Sequence, residues 1–278
     1  MAHAEGEKQA TATSALDAFA LITGASSGIG ACFARALASR GRNLVLVARS
    51  EDKLAALASE ITARHARRVE VIAQDLSQEG AAGPLVAALQ ERGITVDLLV
   101  NNAGFGAQGE FWKLPLDRQV EMLRLNIVAL TELTHLLLPA MVERRAGAII
   151  NISSTASFQP VAYTTAYAAS KAYVTSFSMG LAEELRAYGV KVLALCPGGT
   201  ATNFFDAGEF TRREFPGGLQ SPEAVVEAGL RALDRGRTLA VTRWLNGLMV
   251  FAQRLAPRQF VARQAADMFR PKDLHAGN

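Results

Sequence analysis

The chain has 278 residues, half of them hydrophobic, and a formal net charge of only +3. That suits one large domain, or one domain with a tail, and excludes the strong basic excess of a nucleic-acid binder. The positive charge is concentrated late: from Arg237 to Asn278 there are seven Arg or Lys against two Asp, which leaves the rest slightly acidic.

Residues 1–15 lack the apolar stretch of a secretory signal and read as a disordered tail. Phe19–Thr23 is a short apolar run, followed at once by Gly24-Ala-Ser-Ser-Gly28-Ile-Gly30 and a helix pattern over Ala31–Ser39 closed by Gly41. Strand, glycine turn and helix in that order form a phosphate-binding site. Glycines let the backbone approach a pyrophosphate, and the helix N-terminus offers free N–H groups and a positive dipole end. Asn43–Ala48 reads as a second strand, buried on both faces because its apolar run is continuous. An acid normally ends this strand when the cofactor is NAD, and an arginine accommodates the 2′-phosphate of NADP. Ala48 and Arg49 stand there, which points to NADP(H), with NAD(H) as the alternative.

A helix over residues 51–65 and a strand over Val69–Ala73 lead to Gln74-Asp75-Leu76. Asp75 is either an acceptor for an adenine amino group or a loop and helix-cap residue. A helix through Leu85–Gln90 precedes a fourth strand, Asp97–Val100, which ends in Asn101-Asn102-Ala103-Gly104. This suits a tight turn beside a cofactor ribose. Leu116–Val142 reads as one long amphipathic helix with Asn126 among leucines. Asparagine is a poor interior helix residue and needs a partner in such company. It is either a satisfied core residue or a holder of a catalytic water.

Strand Ala148–Ile152 is followed by Ser154 and then by Tyr167-Ala-Ala-Ser-Lys171. On a helix, positions four apart share a face. An ammonium beside a phenol lowers its pKa toward a useful range for acid–base work. The pattern alone is common, and its plainer meaning is an exposed helical face. Val190–Leu195 is a sixth strand, ending in Cys196-Pro197-Gly198-Gly199-Thr200-Ala201-Thr202. Residues 203–220, with Phe204, Phe205, Phe210 and Phe215, read as a mobile loop over a crevice. A helix starts at Ser221, an edge strand spans Thr238–Thr242, and Trp244–Leu255 is an amphipathic segment.

Strands alternating with helices predict an α/β fold with a doubly wound parallel sheet. Its ligand crevice lies beyond the strand C-terminal ends. The glycine turn, Arg49, Asp75, Asn102, Ser154 and Pro197 all fall at such ends. Cys32 and Cys196 show no metal-ligand spacing; they read as buried free thiols in a reducing, cytoplasmic setting. No uncharged apolar run reaches the ~18 residues of a spanning helix.

Taken together, Thr23–Gly30, Asn101–Gly104, Asn126, Ser154, Tyr167-x-x-x-Lys171 and Pro197-Gly198 resemble the short-chain dehydrogenase/reductase family, in its order and at its spacings over residues 19–202. The resemblance implies a single Rossmann-type domain, residues 16–242, with a seven-stranded parallel sheet; the charge and apolar spacing of residues 243–278 mark them as a basic amphipathic extension. It implies a catalytic tetrad of Asn126, Ser154, Tyr167 and Lys171. It implies that NAD or NADP is held by Gly24, Ser26, Ser27, Gly28, Ile29, Gly30, Arg49, Asp75, Leu76, Asn102, Ala103, Gly104, Tyr167, Lys171, Pro197, Gly198, Thr200 and Thr202. Homodimers or homotetramers are usual in the family, commonly pairing the helices that carry Asn126 and Tyr167. The function implied is NADP(H)-dependent reduction of a hydrophobic ketone or aldehyde, or the reverse oxidation. The rivals are an NAD-dependent alcohol dehydrogenase and a non-catalytic cofactor-sensing regulator on the same fold. For the extension, the plainer expectation is a helix packed on the domain or on a partner subunit. The sharper one is a helix that rests on anionic membrane or guards an apolar substrate site.

Overall fold

The structure is a computed structural model that describes residues 18–207 and 218–270. The expected tail over residues 1–15 and the loop residues Phe210 and Phe215 lie outside the described residues. Seven strands make one sheet: β1 (Ala18–Thr23), β2 (Asn43–Ala48), β3 (Val69–Ala73), β4 (Thr95–Asn101), β5 (Gly147–Ile152), β6 (Val190–Cys196) and β7 (Leu239–Val241). Every pairing is parallel, in the order β3-β2-β1-β4-β5-β6-β7.

The α-helices longer than one turn among the described residues are α1 (Gly28–Ser39), α2 (Glu51–His65), α3 (Ala82–Glu91), α4 (Leu116–Leu123), α5 (Leu130–Glu143), α6 (Thr165–Leu185), α7 (Pro222–Asp234), α8 (Trp244–Gln253) and α9 (Arg258–Phe269). The strand period of two explains why the strands read as unbroken apolar runs. Ala20, Ile22, Leu44 and Leu46 point into one core, shared with Phe33 of α1, Leu54 of α2 and Leu230 of α7. Their neighbours Phe19, Leu21, Val45 and Val47 point into the opposite core, with Leu85 of α3, Leu133 of α5 and Leu185 of α6. The sheet is therefore covered on both faces, as an α/β sandwich requires.

Strand order reverses at β1, which has β2 on one side and β4 on the other. A crevice forms beyond the strand C-termini at such a switch point.

The expected long helix over Leu116–Val142 is not continuous. A π-helical turn, Arg124–Ala129, separates α4 from α5. Asn126 sits in this turn and bonds sideways out of the helix, which fits the use of π turns to aim a side chain. The stretch Leu116–Glu143 is 28 residues long and apolar enough to cross a membrane by length and composition. Here its inner face packs on the sheet through Ala129, Leu133 and Met141. A polar ladder runs through the core beneath it. Asn101 donates to Thr134 Oγ1 at 3.1 Å and to Asn151 Oδ1 at 2.9 Å, and Asn151 donates to Ser178 Oγ at 2.9 Å. Both cysteines are free, but only Cys196 is buried. Cys32 is half-buried with its thiol 3.2 Å from Glu223 Oε1, because its side of α1 meets the polar start of α7 rather than the sheet.

Candidate active site

A cavity of about 750 Å³ runs along the strand C-terminal ends. Its first end is the turn between β1 and α1. Gly24 has φ +64°, and a Cβ there would lie 2.9 Å from the Ala103 Cα. A Cβ on Gly30 would fall 2.3 Å from the Gly24 carbonyl oxygen. The turn is therefore wedged against the end of β4, and only glycine fits. Asn102 locks it from the far side, donating from Nδ2 to the Thr23 and Gly24 carbonyls at 2.9 and 3.2 Å. Thr23 Oγ1 accepts from the backbone N–H groups of Asn102 and Ala103 at 3.0 and 2.9 Å. Ser27, the N-cap of α1, makes no side-chain cap, and the first turn carries no acid. The N–H groups and the positive dipole end of α1 stay open to an anion. This is the donor set a pyrophosphate needs, so a dinucleotide fits this end.

Ser26, Ser27, Gly28, Ile29, Arg49, Asp75, Leu76, Asn102, Ala103 and Gly104 all line the cavity with Gly24. Gly30 does not; it faces the Gly24 carbonyl inside the turn. Arg49 is exposed at the end of β2, with Nη1 3.7 Å from Glu121 Oε1. Asp75 accepts from the Ser77 N–H and hydroxyl at 3.0 and 2.7 Å and from Gln78 at 3.3 Å. Burial pushes its carboxyl up, but these bonds and the nearby Arg49 outweigh that and hold it below the ordinary range. Both oxygens are thus engaged within their own loop.

The middle of the cavity holds Ser154, Tyr167, Lys171, Pro197, Gly198, Thr200 and Thr202. The end of β5 is extended, so consecutive serines diverge. Ser153 is buried, donating to the Lys171 carbonyl at 2.9 Å and bonding the Thr175 hydroxyl at 2.6 Å. Ser154 faces the cavity, accepts from the Ala156 N–H at 3.1 Å and hydrogen-bonds the Tyr167 phenol. Burial pushes the phenol up to about 12, and the Ser154 bond opposes that rise. Burial drags the Lys171 ammonium down to about 8.

The expectation that Lys171 lowers the phenol pKa is not met here. Its Nζ donates to the Ile152 carbonyl at 2.8 Å and stands 5.8 Å from the Tyr167 ring centre. A buried ammonium takes a backbone acceptor, and the end of β5 offers one. Asn126 is not on the cavity wall. Its Oδ1 accepts from the Phe105 N–H at 3.2 Å, and its Nδ2 donates to the Phe105 carbonyl at 3.0 Å and to Ser170 Oγ at 3.1 Å. The side chain pins the turn after β4 from behind, and its oxygen lies where a Gly104 Cβ would come within 2.7 Å.

The far end of the cavity comes largely from residues the sequence reasoning did not assign. Asn246, Met249, Val250 and Gln253 of α8, and Phe260, Val261, Ala265, Met268 and Phe269 of α9, form its wall with Phe204 and Phe205. The Phe204 ring centre is 5.4 Å from that of Tyr167. Helix α9 lies beyond the stretch that the apolar periodicity marks. It docks by Ala265 on Val161 and Ala168, and Gln108 Nε2 donates to the Phe269 carbonyl at 2.8 Å. The one available signal was the apolar spacing of Val261, Ala265 and Met268, diluted by two arginines, Arg258 and Arg263. The described part of the extension, α8 and α9, therefore walls the apolar end of the crevice.

A family model described as short chain dehydrogenase matches residues 18–210. The chain belongs to the short-chain dehydrogenase family. Members of this family are oxidoreductases acting on CH–OH groups. A very-long-chain 3-oxoacyl-CoA reductase of Anas platyrhynchos is 38% identical over 191 residues, which is 67% of this chain and 61% of that protein. The chain thus matches under two thirds of that relative's length. A short-chain dehydrogenase from Sphingobium yanoikuyae, solved with NADPH, is 32% identical with a TM-score of 0.77, covering 86% of this chain and 94% of that one. A family member from Burkholderia phymatum, solved with NAD, is 27% identical with a TM-score of 0.76 over 86% of this chain and 93% of the other. The short-chain dehydrogenase fold at this likeness takes either nicotinamide cofactor, and the glycine turn described above has the donors for one.

Proposed function

We propose that this short-chain dehydrogenase reduces the carbonyl of a hydrophobic ketone or aldehyde, with NADP(H) as the preferred cofactor. The observation that carries the reading is the Ser154–Tyr167 pair at the junction of the two halves of the cavity, with a phenol that holds its proton at neutral pH. Ser154 and Tyr167 hydrogen-bond the carbonyl oxygen and polarise it. Tyr167 gives its proton to the oxygen as charge develops there. Lys171 lies four residues on, with its ammonium bonded to the Ile152 carbonyl. Asn126 holds the Gly104–Phe105 turn in place and is the fourth member of the tetrad. The α1 N-terminus and the Asn102–Gly104 turn would hold the cofactor, whose chemistry there would be the supply of a hydride.

The apolar wall of Phe204, Phe205, Met249, Val250 and Phe260 supports a hydrophobic substrate. The name of the Anas platyrhynchos relative supports a long acyl chain bearing a 3-oxo group. Exposed Val128, Leu136, Tyr173 and Met179 on the π turn, α5 and α6 support a homodimer through those helices.

Arg49, with no acid at the end of β2, supports NADP(H). Its charge-assisted bond to the 2′-phosphate is worth about 2 kcal/mol. Nicotinamide fluorescence titration should find NADPH binding weakened roughly thirty-fold in Arg49→Ala, with NADH within about twofold of the parent. The second reading, NAD and alcohol oxidation, takes Arg49 as the partner of the Glu121 carboxylate 3.7 Å away and not of a phosphate. Equal losses for both cofactors would favour that second reading.

A further inference from the structure

Helix α8 has two unlike faces. Asn246, Val250 and Gln253 turn inward to the cavity. On the opposite side Trp244, Leu248, Phe251 and Leu255 are 80%, 54%, 59% and 79% exposed. Spacings of four, three and four residues put these four side chains in one stripe along the helix and its final turn. No described element covers it. Four large apolar side chains held in water along one line are not explained by the fold, whose two cores are complete without them.

The charges beside the stripe have one sign. Arg243, Arg254, Arg258 and Arg263 are exposed. No carboxylate pairs with them among the described residues; the one acid in residues 243–270, Asp267, lies 3.5 Å from Arg270. A second copy of the chain docked on this stripe by a two-fold axis would bring arginine against arginine. An anionic lipid surface answers both features. The apolar stripe enters the boundary of head groups and acyl chains, and the guanidinium groups meet phosphates.

We propose that α8 and the start of α9 seat this protein on anionic membrane. The cavity opens on the same helical pair: Phe260 and Met268 both line it and stand 57% and 47% exposed. Seating on α8 therefore turns the mouth toward the bilayer, where a membrane-dissolved carbonyl compound enters without crossing water. The seating is independent of the catalytic reading above; only this delivery of substrate rests on it.

The test is sedimentation of the full chain with vesicles of phosphatidylcholine alone, or mixed with an equal part of phosphatidylglycerol. The expected result is binding to the mixed vesicles that is at least about tenfold stronger than to phosphatidylcholine and weakens steeply with added salt. The triple variant W244S/L248S/F251S removes the stripe but no cavity wall. It should lose at least about tenfold of that binding while keeping cofactor affinity and solution mass. The pair R254E/R258E, on exposed positions, tests the same point through charge and should abolish the preference for phosphatidylglycerol. Absence of the parent protein from the anionic vesicle pellet overturns the proposal. So does an unchanged bound fraction in both variants. A fall in solution mass of the triple variant, with no vesicle binding by the parent, overturns it in favour of a second copy. Loss of carbonyl reduction in a protein that still binds vesicles would sink the catalytic reading and leave the seating intact.

Discussion

Tyr167 keeps its proton at neutral pH because burial withdraws its hydroxyl from water, which outweighs the opposing bond with Ser154. That is the state a proton donor needs. Replacing it with phenylalanine keeps the ring against Phe204 and removes the donor. Because such a group is worth ~10²–10⁴-fold, turnover of a hydrophobic ketone should fall by at least about a hundredfold while NADPH still binds. Near-parental turnover would leave Tyr167 out of the chemistry. Lys171 carries a prediction of opposite sign to the usual lysine. Burial brings it to about 8 in the fold, against ~10.4 for a free lysine. Between those values the unfolded chain binds the proton and the folded one does not, so this group makes stability rise with pH across that window. Tyr167, raised to about 12, acts the other way above its free value of ~10. Urea midpoints at pH 8 and 10 should therefore rise less, or fall more, in Lys171→Met than in the parent. Identical pH responses would mean that the ammonium is not held in this burial.

At the scale of elements, the π turn at Arg124–Ala129 is the departure from regular structure with the clearest cause. Asn126 makes three bonds across to the Phe105 backbone and Ser170, and the helix opens by one residue to aim it there. Asn126→Leu leaves the Phe105 N–H and carbonyl without partners in a dry site. Each such group costs about 1–3 kcal/mol, so chemical denaturation should show a loss of at least about 2 kcal/mol. Ser170→Ala removes two neutral bonds, one from Asn126 and one to the Tyr167 carbonyl, and should cost about 1–2 kcal/mol. If Asn126→Leu kept parental stability and lost only activity, its role would lie in a proton relay and not in pinning the turn. The β1–α1 turn makes a similar point. Gly30→Ala forces a Cβ onto the Gly24 carbonyl at 2.3 Å, so the start of α1 must shift. Cofactor affinity should drop by at least about tenfold even though residue 30 does not line the cavity.

For the whole molecule, the proposed pairing falls on the outer face of the π turn, α5 and α6. Val128, Leu136, Tyr173 and Met179 are exposed there, and Tyr173 is tied to Thr131 across the two elements by a bond of 2.9 Å. Charges placed on such a face oppose its burial. Val128→Glu with Leu136→Glu should convert the proposed homodimer to a monomer, read as a halving of mass by light scattering. A parent protein that is already monomeric would remove the basis for pairing on this face. The same experiment leaves α8 untouched, so it separates a dimer on these helices from one on the C-terminal stripe.

Much of this molecule was legible in one dimension. Apolar runs such as Asn43–Ala48 mark strands covered on both faces, and they do so because a strand alternates its side chains every residue and both sides are dry. The glycine turn, Asn102, Ser154, Tyr167 and Lys171 are recognisable because their chemistry depends on local spacing, a turn of seven residues or one helical step. The three-dimensional arrangement decided what local spacing cannot. It sent Lys171 to the Ile152 carbonyl and away from the phenol, since the nearest acceptor comes from another strand. It made Asn126 an anchor for a turn twenty-one residues earlier. It also folded α8 and α9 back over the crevice, so that weakly patterned residues such as Val261 and Phe269 became the wall of the site. Contacts of that kind join parts of the chain far apart in sequence. Their strength depends on which surfaces remain uncovered once the sheet has formed, and the residue pattern within either helix does not by itself say which surface it covers.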